Sequence, residues 1–211
     1  MFNLPPQTVK DQHIPQNNFL TSSTKADIKR EFREKIKVIK WLYSINETTT
    51  GIPKSGNIAQ IQIMQINLLQ KSIPKKALRL IEQASPAAKL YQLQYGSDIC
   101  FAIAIKQDKQ IQELLYSDWG QTLDFKFQGE NLEQVLQGIL SLFLNKHIPQ
   151  ERPFEEKVLI DKKIKTLEKE ITILNNKVNK EKQINIQMDL YKALQSKIQE
   201  LETLKKELNN G

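Results

Sequence analysis

A single cysteine, Cys100, leaves the chain without the means for an internal disulfide. It lies in the apolar run Ile99 to Ile105, where a small buried core residue is its expected role; a reactive thiol needs an accessible, electropositive setting. Two histidines, His13 and His147, beside that lone cysteine are too few for a zinc site. Neither histidine stands where a serine hydrolase needs its base. There is no P-loop, paired-glycine fingerprint or metalloprotease helix motif, so no cofactor and no metal are implied. No apolar run is long enough to span a bilayer; the best, Val135 to Leu144, is short and interrupted by Gln137 and Ser141. Met1-Phe2-Asn3-Leu4-Pro5-Pro6 lacks the basic start and apolar centre of a signal peptide, so a cytoplasmic location is expected. Glycine and proline are missing altogether from Phe154 to Asn210.

What is present is charge and helical periodicity. The 211 residues are 39% hydrophobic and 26% charged, with a net charge of +7. Such a length allows one ordinary domain with an appendage. The positive balance favours polyanions or acidic proteins as partners.

Residues 1 to about 23 read as an extended arm that packs through Phe2, Leu4, Ile14 and Phe19, with Ser23 or Thr24 as a helix N-cap. A first helix is expected from Lys25 to about Tyr43, because Ile28, Phe32, Ile36, Ile39 and Tyr43 recur every three or four residues. After a loop at 46–56, Asn57 to Leu69 reads as a strand. Its apolar phase changes between Ile63 and Met64, which suggests a bulge there. Pro74 opens a second helix with Ala77, Leu80, Ile81 and Ala84 inward. Alternation in 91–95 and 99–105 around Gly96-Ser97 marks a hairpin, and the small Cys100, Ala102 and Ala104 would let a helix lie close to the sheet. Two weaker strands are expected at 110–116 and 122–127. Glu130 or Asn131 caps a third helix running to about Lys146, in which Gly138 suggests close packing. This order predicts an α+β domain, residues 1–150, with a mixed, mostly antiparallel sheet and packed helices.

Residues 151–211 are expected to form a coiled-coil-type helical segment. Ile164, Leu167, Ile171, Leu174 and Val178 keep the three–four spacing of a seam, and so do Tyr191, Leu194, Ile198, Leu201 and Leu208, with Lys205 at a seam position. The two blocks are out of register across 179–183. A continuous helix of about 80 Å at 1.5 Å per residue and a fold-back hairpin both explain the slip. The missing glycine and proline favour the continuous helix.

Two constellations carry possible chemistry. Asp118, Asp124 and Lys126 resemble the acid–acid–lysine set of metal-dependent nucleases, although polar residues on the outer face of a strand are the commoner explanation. Lys29, Arg33, Lys37 and Lys40 would share one face of the first helix and could contact phosphates, but i,i+4 pairs such as Glu31–Lys35 fit an ordinary solvated face better.

Several short motifs follow one another in a particular order: Phe2-Asn3-Leu4-Pro5-Pro6, His13-Ile14-Pro15 with Phe19, the Ile61–Leu68 strand, the Tyr91–Ile105 hairpin, Ser117-Asp118-Trp119 and Lys180-Glu181-Lys182-Gln183-Ile184-Asn185. In that order they resemble the bacterial domain-of-unknown-function family numbered 4391. Gln16 stands where the family pattern would have lysine. The resemblance implies a prokaryotic origin, transfers no catalytic residue, and suggests genes beside helicases and DNA methyltransferases in defence-type clusters. The functional expectation is a non-catalytic interaction module, an accessory subunit of a DNA-processing or anti-phage assembly, whose C-terminal helix meets another protein or a second copy. The alternative is a metal-dependent nuclease or a nucleic-acid-binding protein.

Overall fold

The computed structural model describes residues 2–56, 58–107, 110–149 and 152–210. The chain divides into two compact units, Met1–Phe143 and Leu144–Gly211. The first unit runs β1 (Val9–His13), α1 (Ala26–Lys35), β2 (Ile36–Ile45), a single turn α2 (Glu47–Thr50), β3 (Ile61–Leu68), α3 (Lys75–Gln83), β4 (Ala88–Tyr95), β5 (Asp98–Gln107), β6 (Gln110–Tyr116) and α4 (Leu132–Ser141). The second unit holds α5 (Phe154–Lys180) and α6 (Ile184–Asn210). No helix among the described residues is long and apolar enough to cross a membrane. The architecture is α+β, as expected.

The six strands lie in sequence order in one sheet. Every neighbouring pair is antiparallel except β3 and β4, which run parallel. A parallel pair needs a crossover, and α3 supplies it. Partners in a ladder share a face, so the register defines two layers. Trp41, Met64, Tyr91, Ala102 and Tyr116 form one row; Tyr43, Ile63, Leu90, Ile103 and Leu115 form the row behind it. The first face joins Phe32 of α1 and Ala77, Leu78 and Ile81 of α3 in one core, above the small Cys100, Ala102 and Ala104. The second face carries Phe101, which meets Phe125 edge-on at 4.8 Å; Phe2 adds its ring to the same group.

The expected first helix is half helix and half strand. α1 ends at Lys35, and Ile36 to Ile45 form β2. The β-branched and aromatic residues Ile36, Val38, Ile39, Trp41 and Tyr43 suit a strand. The register shifts between Ile36 and Val38 and again between Trp41 and Tyr43. Each bulge adds a residue, so Ile36 and Ile39 share a face three residues apart, as they would in a helix. The first bulge thus counterfeits one helical step, while Tyr43 falls on the opposite face. The second lies opposite Ile63 and Met64, so the bulge expected in β3 belongs to its partner. β3 itself pairs evenly with β4, and its two apolar phases serve the two covered faces. Asn57, where that strand was expected to begin, lies outside the described residues.

Other differences are local. Thr24 turns its hydroxyl to the Thr21 N–H at 2.9 Å, and Lys25 takes the N-cap of α1. In α3 the buried stripe includes Leu78 and Glu82, while Ala84 is exposed. Residues 122–127 are irregular and not a strand. Asn131 caps α4 by accepting from Gln134 N–H at 3.0 Å, but the helix stops at Ser141. A Cβ at Gly138 would meet nothing within 4 Å, so no close packing occurs there.

The helical segment is a hairpin and not one continuous helix. α5 and α6 are separated by Glu181, Lys182 and Gln183, within the stretch where the two blocks fall out of register. At its open end Ile148, Ile164 and Leu208 are buried together with Leu144, Ile160, Leu201 and Leu204 around them. Asp161 accepts the Asn145 N–H at 2.8 Å and holds the preceding segment to α5.

Candidate functional site

The hairpin turn forms without glycine or proline because side chains satisfy its backbone. Glu181 leaves the helix with φ −74° and ψ 133°. Its carboxylate then accepts from the N–H groups of Lys182 at 2.8 Å and Gln183 at 2.9 Å, at the positive end of α6. Gln187 reaches back and donates to the Val178 carbonyl at 3.0 Å, one of the otherwise unmet acceptors ending α5. An acid and an amide therefore close both helix ends.

The seam residues are unequal. Ile164, Leu167, Leu194 and Leu208 are buried; Ile171, Leu174, Val178, Ile198 and Leu201 are half-buried. Tyr191 is 53% exposed. Cross-helix ion pairs flank the seam, Lys197–Glu170 at 3.0 Å and Lys205–Glu168 at 3.2 Å, so Lys205 holds its seam position by pairing outward. Toward the turn the packing thins. Ile184 is 72% exposed and Met188 55%. Ile184, Met188 and Tyr191, spaced four and three apart, form an apolar strip on one flank of α6.

The nuclease-like residues lie apart from any core. Asp124 and Lys126 extend into water with their charges 3.7 Å from each other. Asp118 belongs to a turn, where its N–H donates to Gln121 Oε1 at 2.9 Å. Among the described residues no group of three or more histidine, cysteine or acidic side chains is arranged to hold a metal. The basic row is also dispersed. Lys29 and Arg33 are on α1, whereas Lys37 and Lys40 are in β2 because the helix has already ended. Lys29 donates to the Ser22 carbonyl, Arg33 pairs with Glu34, and Lys40 pairs with Asp11. Glu31 does pair with Lys35 at 3.1 Å. Its other oxygen accepts the N–H groups of Lys76 and Ala77 and so caps α3 from the neighbouring helix.

A buried polar cluster was missed from sequence. Glu82, on the inner face of α3, has no exposed side-chain surface; Lys106 of β5 meets its carboxylate at 2.5 Å. Tyr91 of β4 donates its hydroxyl to the same carboxylate at 2.5 Å. Burial, with the Glu82 charge beside it, pushes the Tyr91 phenol well above its usual range. Lys89 donates to the carbonyls of Glu82, Ser85 and Ala87, closing the C-terminus of α3. Burial pulls its ammonium down to about 8. A lysine so depressed can serve as a base when substrate reaches it, but Lys89 is 3% exposed and its donors are turned to backbone carbonyls. Its role is to tie helix to sheet. The sequence did hold a signal for Glu82, which stands four residues after the buried Leu78 on the apolar stripe of α3. Cys100 is fully buried and its thiol is raised by that burial, as befits a core residue.

No curated protein and no solved structure matches the chain. A family model described as "Domain of unknown function (DUF4391)" matches residues 2–201, which takes in both the sheet unit and most of the hairpin. The chain belongs to that family.

Proposed function

We propose that the protein is a non-catalytic interaction module whose helical hairpin is the docking element, an accessory subunit of a DNA-processing or anti-phage assembly. The observation that carries the docking role is the apolar strip of Ile184, Met188 and Tyr191, left in water beside the turn. Apolar side chains grouped on one helix flank and rimmed by polar residues mark a surface for another protein. The assembly context rests on the family resemblance alone.

A photo-crosslinking residue placed at Tyr191 in the full-length protein tests the docking role in cells. A covalent adduct of defined mass from position 191, absent when the probe stands at Ala26 of α1, is the expected result. Equal or no adducts from the two positions would refute it.

The nuclease alternative has weaker support, since the Asp124 and Lys126 side chains are largely hydrated and spend their charge on each other. Incubation with DNA and RNA in Mg²⁺ or Mn²⁺ addresses it. Cleavage that Asp124→Ala abolishes would restore that reading.

A further inference from the structure

The two ends of the hairpin differ in chemistry. Grooves nearer the open end are walled by charged and hydroxyl side chains such as Lys163, Ser196 and Glu200. The groove beside the turn, about 240 Å³, is walled by Val178, Met188 and Tyr191 with the stems of Gln187 and Lys192. Toward the open end Lys165, Lys197 and Lys205 are each held by a carboxylate, while Lys162 and Lys163 carry no ion pair among the described residues. Around the turn Lys177, Lys180, Lys182 and Lys192 have no ion-pair partner among the described residues. Of the two acids there, Glu181 is occupied with the turn N–H groups and Asp189 is exposed beside Met188.

An apolar slot with Lys192 on its wall, and with Lys177, Lys180 and Lys182 close along the chain, specifies its complement. We infer that the turn end of the hairpin receives an acidic amphipathic helix from another protein. Its apolar side chains enter the groove between α5 and α6, and its carboxylates meet the four lysines. A second copy of this chain would set lysine against lysine at the same place. A phosphate backbone would engage the lysines but leave Ile184 and Met188 in water. A membrane surface suits a broad apolar face and not a slot between two helices. This inference rests on the docking role proposed above and adds the chemistry of the partner.

The test uses the full-length protein and a fluorescein-labelled helical peptide with leucine at its a and d positions and glutamate elsewhere. Comparison probes are the same peptide with lysine for glutamate, polyglutamate, anionic phosphatidylglycerol vesicles and a short DNA duplex. The acidic peptide is expected to bind, more weakly as salt rises. Met188→Glu is expected to weaken it about tenfold, the scale of one buried apolar anchor. Leu159→Glu, at an exposed position far from the turn, should leave binding unchanged. Because Met188 is largely exposed, its variant keeps the helical circular dichroism of the parent. Binding of the lysine peptide or polyglutamate as tight as the acidic helix overturns the inference, as does no binding of the acidic peptide. If Met188→Glu instead abolishes self-association, DNA binding or vesicle binding, the acidic-helix inference fails while the docking role stands. If it alters none of these, both fall.

Discussion

Removing Lys106 should destabilise the sheet unit far more than a surface lysine would. Glu82 is fully buried, and Lys106 lies 2.5 Å from its carboxylate. Lys106→Met leaves a buried carboxylate with one remaining donor, the Tyr91 hydroxyl. Stranding one partner of a buried ion pair costs about 3–5 kcal/mol. Glu82→Leu should cost less, about 1–3 kcal/mol, because Lys106 is 20% exposed, can reach water and still donates to the Ala87 carbonyl at 3.2 Å. Its main debt is the orphaned Tyr91 hydroxyl, which Tyr91→Phe removes. The double variant Glu82→Leu with Lys106→Met should therefore fall well short of the sum of the single losses, by about 2 kcal/mol or more. Urea unfolding followed by tryptophan fluorescence is the assay, since both tryptophans, Trp41 and Trp119, lie in the sheet unit and none in the hairpin. A Lys106→Met loss below about 1 kcal/mol, or single losses that simply add, would refute the account of the cluster.

Three further outcomes are expected. The Lys89 ammonium titrates near 8 when folded and near 10.5 when unfolded, so the unfolded chain holds more protons between these values. Stability should then rise with pH across that window, by up to about 3 kcal/mol; the rise should vanish in Lys89→Met and turn downward above pH 10, where the raised Tyr91 phenol acts with the opposite sign. Glu181→Ala removes the acceptor of two N–H groups at the turn and should cost about 0.5–2 kcal/mol locally, seen as faster hydrogen exchange of amides beside residues 181–187 with little change at Leu167. Cys100 should resist a thiol reagent in the native protein and react at once in denaturant; rapid native labelling would contradict its buried setting.

Where local pattern and tertiary setting agreed, the fold was legible. The Gly96–Ser97 hairpin formed because strict alternation flanks a two-residue turn with Gly96 at φ 58°. Asn131, one of the two caps the sequence offered, capped α4 because its short side chain accepts from the Gln134 N–H. β2 was hidden because a bulge sets the buried Ile36 and Ile39 three apart on one face, which continues the spacing of Ile28 and Phe32 in α1. The hairpin was legible in position but not in kind. The register slip located it, while the turn depends on Glu181 accepting from the next two N–H groups and on Gln187 reaching back to Val178. The Glu82 cluster was hidden for another reason. Its four members come from α3, β4 and β5, and only the crossover brings them together. The dispersal of Lys29, Arg33, Lys37 and Lys40 follows from the end of α1 at Lys35.

The single parallel pair, β3 beside β4, has a kinetic consequence. The β4–β5–β6 half of the sheet is built from strands close in sequence, whereas the β3–β4 seam must wait for α3 to cross over it, and β1 meets β2 only across α1. Pairings that close longer loops form later in folding. The Glu82 contacts, which fasten α3 to β4 and β5, belong to that late step. Their loss should therefore speed unfolding and leave the folding arm of a chevron nearly in place. An equal shift of both arms would instead put the seam among the first structures to form.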